Sequence, residues 1–426
     1  MQMLPDSDLI FHDSASVRKN AMCILCKGSR NLCGKSRCPL LVKYYFRSKV
    51  IPLVDSLDID GSSPPSVFVG RQGYPKVYVG PMVPPVHGDT EILDLPERWL
   101  NKTMDDIINY RFQLVRGMYR TSVHDLENPG KIVDLTRELA MATYSTDVEA
   151  RFSKKPSARM VLDDSSQPMG PSAPLRGFDV DSLKIDSRID RAYDDWDLLA
   201  KDAVIELHQQ RIPITKIQRA FSVGAFGIRK NRKMVPTRWS ITAVDDIAGK
   251  ELREVVKTFP SLDTFRVYWS SRLDNRWAVL MMPANWRYEL IEAWYPETVW
   301  NPWKGSRIVL LNSYEGYEGR SKYAEIGGCY YAARLAVAEH LIKERRQAGT
   351  VILREAHPGY ILPVGVWNVR ENVRNALRQP YRDFDTLKNA LFYISKRMAI
   401  PIRRWIKNSH VLKDMLYQRR LEDFVT

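Results

Sequence analysis

The chain has 426 residues, length enough for two to four domains, and its 44% hydrophobic and 27% charged content is that of a folded globular protein rather than a collagen-like or disordered one. No run approaches the roughly 18 apolar residues that span a bilayer, and Met1–His12 carries acids where a secretory leader carries lysines, so a cytoplasmic protein with no membrane partner is expected. Sixty-four Lys plus Arg against 50 Asp plus Glu leave a formal charge of +14, which favours nucleic acid as partner because neutralised phosphates release counterions; a solubility charge spread over the surface is the plainer alternative.

In chain order, Arg18 to Lys49 carries nine cations and no acid. Four of the five cysteines fall here, Cys23-x-x-Cys26, then Cys33 and Cys38. Zinc favours four thiolates in a tetrahedron, and a two-residue spacer lets one turn aim two sulfurs at one ion, so residues 18–49 read as a structural zinc module; two disulfides or plain buried thiols are the alternatives. All four ligands being cysteine leaves no open position for catalysis. Lys27, Arg30, Lys35 and Arg37 are the expected phosphate contacts of this module. Cys329 reads as a small packing residue.

Residues 50–260 read as a body domain. Ser66–Gly70 and Lys76–Gly80 alternate on either side of Gly73-Tyr74-Pro75 and predict two strands. Val133–Thr143 and Ser187–Gln210 have helical spacing, and the prolines within 153–177 predict a long exposed loop. Gly224 to Lys233, rich in glycine and cations, leads to Arg238 and the adjacent Asp245 and Asp246. Those carboxylates could hold a divalent ion such as Mg²⁺, and the glycines allow backbone to approach phosphate; a glycine turn followed by a helix cap at Asp245 or Asp246 explains the same residues.

Residues 261–400 read as a sheet-and-helix domain. Thr264–Met282 predicts a hairpin about Asp274–Asn275, Trp286–Trp294 and Arg307–Leu311 predict further strands of an antiparallel sheet, and Tyr330–Gln347, ended by Gly349, and Phe384–Met398 predict helices. Glu315, Glu318 and Arg320 precede Gly327–Gly328 at a helix start, a pattern suited to anion handling or acid–base work, though tight turns use glycines too. The seven histidines form no metal or nucleophile constellation; His340 reads as a helix-surface or packing residue.

Residues 401–426 read as a basic helix and a free terminal peptide. Ile402, Trp405, Ile406, Leu412, Met415 and Leu416 recur at helical spacing beneath cations including Arg403, Arg404 and Lys407, which either dock on DNA or form a solvated face. Gln418, Leu421 and Phe424 match the peptides that plug into a sliding clamp (PCNA), one helical turn presenting Leu421 and Phe424 to an apolar pocket; a frayed helix end is the alternative. The whole is α+β.

The four-cysteine segment, Phe68-Val-Gly-Arg71-Gln-Gly73-Tyr-Pro75, Val235-Pro-Thr-Arg238-Trp239 through Asp245-Asp246, Glu315-Gly-Tyr-Glu318-Gly-Arg320 and the tail from Gln418 resemble the archaeal Nre family of DNA-repair proteins nearly end to end. The resemblance implies a role in the DNA-damage response, a zinc finger at Cys23, Cys26, Cys33 and Cys38, and clamp binding through Gln418, Leu421 and Phe424. It implies no particular reaction. The expectation is a DNA-repair factor that binds DNA and is recruited to the clamp. Its rival is a nuclease, phosphodiesterase or nucleotide-processing enzyme using Arg238, Asp245, Asp246, Glu315, Glu318 and Arg320; an RNA-associated factor is a third reading.

Overall fold

A computed structural model describes residues 23–30, 32, 33, 35, 37–157 and 167–417. Gln418, Leu421 and Phe424 lie outside these. The chain divides into two compact units at Ala248/Gly249, and the cysteine segment up to Cys38 belongs with the C-terminal unit. No helix among the described residues is long and apolar enough to cross a membrane.

The N-terminal unit begins with α1 (Pro39–Val50) and builds a six-stranded sheet from β1 (Asp58–Ser63), β2 (Val67–Val69), β3 (Lys76–Val83), β4 (Val115–Ser122), β5 (Thr146–Phe152) and β6 (Ser172–Val180). Their order is β1-β5-β6-β4-β3-β2, with β4 and β6 parallel and the other pairs antiparallel. Along β5, Thr146, Val148, Ala150 and Phe152 are buried while Asp147, Glu149 and Arg151 face water, the period-two pattern of a sheet with one covered face. The helices are α2 (Met104–Gln113), α3 (Gly130–Met141), α4 (Ser187–Asp194), α5 (Ala200–Gln209), α6 (Ile214–Ser222) and α7 (Thr237–Val256), the last of which carries the division between the units. Helix α3 packs across β2, β3 and β6, and α6 packs on α3 and β2.

The C-terminal unit orders its strands β10-β9-β11-β8-β7-β12: β7 (Phe265–Arg272), β8 (Asn275–Met282), β9 (Arg287–Trp294), β10 (Val309–Glu315), β11 (Gly349–Ala356) and β12 (Arg382–Phe384). Only β9 and β11 run parallel among these pairs. Helices α8 (Gly328–Glu344) and α9 (Trp367–Arg378) cover one face through Tyr268, Trp277, Tyr288, Leu290 and Ile352. Helices α10 (Leu387–Ser395), α11 (Ile402–Asn408) and α12 (His410–Tyr417) cover the other through Val267, Leu280, Ile291, Val351 and Leu353. Covered on both sides, β11 is buried at every position.

Several elements differ from what the sequence predicts. The expected Ser187–Gln210 helix is two, α4 and α5, because Asp195 leaves the helical range and its Oδ1 accepts from the amides of Asp197 and Leu198. The hairpin turn is Leu273–Asp274, both at positive φ, and Asn275 opens β8. Helix α8 ends at Arg345 in the left-handed region, and Gly349 starts β11. Part of the 153–177 loop is β6. The basic C-terminal helix breaks at Ser409, whose Oγ accepts from Leu412 N at 2.9 Å and donates to the buried Glu289; Glu289 also accepts from the amides of His410 (2.9 Å) and Val411 (3.0 Å). A carboxylate there complements the positive end of α12.

Candidate functional site

In the N-terminal unit two of the sequence motifs meet. Val69 N donates to Thr237 Oγ1 at 2.8 Å, and the ring of Tyr74 lies 5.3 Å from that of Trp239. Thr237 Oγ1 is also 3.3 Å from Ser222 Oγ, which donates to Val235 O. Gly73, at φ +80, turns the chain so that Tyr74 reaches this contact, and any Cβ there would press on Lys76 O. Arg71 and Arg238 are exposed on the two joined segments.

Further along the second motif, Asp245 is fully buried and accepts from Gln218 Nε2 at 2.9 Å. Asp246 is half-buried on the adjoining face of α7, since successive helical residues point about 100° apart. Both lie well inside α7, which starts at Thr237, so neither is its N-cap. The glycine-rich turn is closed by its own cation: Arg232 donates to Gly227 O (2.6 Å) and Asp195 O (2.9 Å), while Arg229 lies over Trp196 at 4.2 Å. A separate cleft of about 400 Å³ in this unit is lined by Tyr119, Lys131, Arg151 and Arg176 among others, and Asp179 bridges Lys131 and Arg151 beside it.

In the C-terminal unit Glu315 is buried and saturated. It accepts from Trp286 Nε1 (3.0 Å), Tyr330 OH (2.7 Å) and Arg334 NH1 (3.1 Å), with Arg253 NH1 at 3.6 Å. Burial, with the Glu315 charge beside it, pushes the Tyr330 hydroxyl far above its ordinary range, so it donates rather than ionises. Arg320 binds the carbonyls of Tyr314, Lys322 and Tyr323 and the carboxylate of Glu325, which shapes the turn. Gly319, at φ +81, packs on the Arg253 guanidinium where a Cβ has no room. Glu318 is exposed.

The cysteine turn is local and tight: Lys27 N donates to Cys23 O and Ser29 N to Cys26 O, with Lys27 and Gly28 at positive φ. Four thiols are the donor set of a structural zinc and this turn suits two of them. Among the described residues, however, no group of three or more His, Cys, Asp or Glu side chains is gathered so as to hold a metal ion. Lys27, Arg30 and Arg37 are exposed while Lys35 is buried. Arg403 and Lys407 are exposed on α11, and Arg404 is half-buried.

Two features escaped the sequence reading. Arg354 is buried with Glu292 at 2.7 Å and Asn275 Oδ1 at 2.9 Å, its guanidinium within 5.4 Å of the Trp277, Trp294 and Tyr360 rings. Burial works against that charge, and Glu292 together with Tyr360 and Cys329 more than offsets it, so Arg354 is held more firmly protonated than in water. Its sequence signal was only an arginine inside an apolar strand. The second feature is the pair of exposed indoles, Trp300 and Trp303, on the loop after β9.

Family models described as "Archaeal Nre, N-terminal" and "Archaeal Nre, C-terminal" match residues 32–301 and 315–424. The chain belongs to the archaeal Nre family. It is 40% identical over 392 residues to the DNA repair protein NreB of Archaeoglobus fulgidus, covering 92% of this chain and 97% of that one. It is 37% identical to the DNA repair protein NreA of the same organism (88% and 93% covered) and 33% identical to that of Haloferax volcanii (84% and 87%). No solved structure matches.

Proposed function

We propose that this chain acts in DNA repair, binds DNA through basic surfaces, and is brought to the replication machinery by docking its last residues on a sliding clamp. The observation that carries the reading is end-to-end kinship with proteins named for DNA repair. Supporting it are the exposed cations Lys27, Arg30 and Arg37 at one end of the sequence and Arg403 and Lys407 near the other, which suit phosphate contacts. The spacing of Gln418, Leu421 and Phe424 supports the clamp partner. In this reading Cys23, Cys26, Cys33 and Cys38 hold a structural zinc that organises the basic segment.

The test compares the full chain with one stopped before Gln418 for retention on immobilised clamp and for binding to duplex and single-stranded DNA. Truncation is expected to abolish clamp retention and leave duplex binding in place. Equal retention by both chains overturns the clamp assignment, and absence of binding to duplex and single-stranded DNA alike at low salt overturns the DNA-binding one.

A further inference from the structure

Two large apolar rings stand in water on a loop that is not slack. Trp300 and Trp303, in the segment 295–308 between β9 and β10, are 43% and 53% exposed. Asn301, nearly fully buried, donates from Nδ2 to Trp294 O (2.9 Å) and Arg307 O (2.7 Å), drawing the two ends of the loop together. Glu297 N donates to Trp303 O at 3.3 Å, and the Trp300 ring meets Trp294 edge-on at 6.3 Å. A loop backbone tied down this way, with the Trp300 ring seated on Trp294, leaves less freedom to be lost on binding, which favours a partner with a flat apolar face.

The loop continues into a basic strip. Helix α11 runs beside the edge strand β10: Arg404 NH2 donates to Ile308 O (3.2 Å), Asn312 Nδ2 donates to Asn408 O (2.9 Å), and Tyr314 stacks on His410 with centroids 4.1 Å apart. From Ile308 to Tyr314 the strand spans about 20 Å. Lys304 and Arg307 at one end and Arg403 and Lys407 along α11 are all exposed. Glu297 is the one acid within 295–314 and 402–412. A second copy of the chain would meet like charge here, and a duplex keeps the faces of its bases covered by their neighbours.

We infer that this strip binds single-stranded nucleic acid, with Trp300 and Trp303 stacking on unpaired bases while Arg307, Arg403 and Lys407 contact phosphates. The inference rests on the DNA-repair reading and adds to it a substrate form and the residues that select it. Stacking tolerates any base, since every base has a π face, so sequence preference should be weak and salt dependence strong.

The test is fluorescence anisotropy with the full chain, a labelled oligothymidine longer than the roughly 4–16 nucleotides such grooves cover, and a duplex of equal length. Trp303→Ala is expected to weaken single-strand binding about tenfold and leave duplex affinity unchanged, while Trp303→Phe retains most of it. Arg403→Glu with Lys407→Glu should weaken single-strand binding and flatten its salt dependence. Unchanged melting temperatures separate lost contacts from lost folding. If Trp303→Ala binds single strands as tightly as the parent, the inference falls while duplex binding leaves the broader reading standing; if the parent binds neither, both fall. Conversion of a dimer to a monomer by Trp303→Ala, with single-strand binding unchanged, would make the strip a self-interface and overturn the inference.

Discussion

Each unit is built on a six-stranded sheet with one parallel pairing, yet the two treat charge in opposite ways. In the N-terminal sheet, Asp147, Glu149 and Arg151 of β5 point to water, and Arg151 trades contacts with Asp179 and Glu149 at the surface. In the C-terminal sheet, covered on both faces, Glu289 and Glu292 of β9 and Arg354 and Glu355 of β11 are all buried. Each therefore has to find a partner inside the fold: Arg354 for Glu292, the start of α12 for Glu289, and the amides of Ala399 and Ile400 for Glu355. The same residue type is thus a surface option in one sheet and a structural obligation in the other.

The largest expected effect tests that contrast directly. Arg354→Met removes the partner of Glu292 and leaves a carboxylate buried among Trp294 and its neighbours, which should cost about 3–5 kcal/mol. Arg151→Met removes an exposed surface partner and should leave stability essentially unchanged. Denaturant unfolding of both variants measures the difference. Similar losses, or a loss at Arg151 exceeding that at Arg354, would show that the burial contrast does not govern stability.

How far the sequence could be read follows from the same contrast. The alternation of β5 has a period that a local window detects, and the β7–β8 hairpin announces itself by Asp274–Asn275, although Leu273 shares the turn. The parallel pairing of β9 with β11 depends on a crossover through α8 and has no local signature. Ser409 breaks the basic helix because Glu289, distant in sequence, receives the new helix start, so spacing alone joined Ile402 to Leu416. The candidate site behaves likewise. Residues 68–75 and 235–246 are recognisable as motifs, but their meeting through Val69–Thr237 and Tyr74–Trp239 is a tertiary fact. Glu315 reads as reactive until Trp286, Tyr330 and Arg334 are seen around it, and the family's N-terminal region, ending at 301, runs past the structural division at Ala248.

A smaller effect is expected at His340, which the two-sided covering of the C-terminal sheet also reaches. Its Nε2 lies 3.0 Å from Tyr268 OH, with Glu344, Arg266 and Lys343 the charged groups that act on it. Burial pushes its pKa down to about 4 and raises that of Tyr268 to about 12, so both are neutral in the folded state at pH 7. The unfolded chain takes up a proton near pH 6.5 that the folded chain refuses until about pH 4. Stability should therefore be lost as pH falls through that window, by on the order of 3 kcal/mol at most. Unfolding curves for the parent and His340→Gln at pH 7 and pH 4.5 check this; the variant should show the shallower fall, and parallel curves would remove His340 as a source.

The smallest effect separates two ways of starting a helix. Helix α12 is capped by its own Ser409 and, in addition, by Glu289 of β9, whereas α2 relies on a local pair alone: Thr103 Oγ1 accepts from Asp106 N at 3.1 Å, and Asp106 accepts from Thr103 N at 2.9 Å. The Thr103 amide and, at 2.8 Å, the Thr103 hydroxyl both donate to the Asp106 carboxylate and hold it below its usual range. A reciprocal pair three residues apart answers only to its own turn, so Thr103→Ala should cost about 1 kcal/mol and loosen the start of α2 alone. Amide exchange reads this out, with faster exchange at Asp106 and unchanged protection in β3 and β4. If protection fell across the sheet as well, the cap would be supporting tertiary structure, and the N-terminal unit would share the long-range dependence that Glu289 imposes on α12.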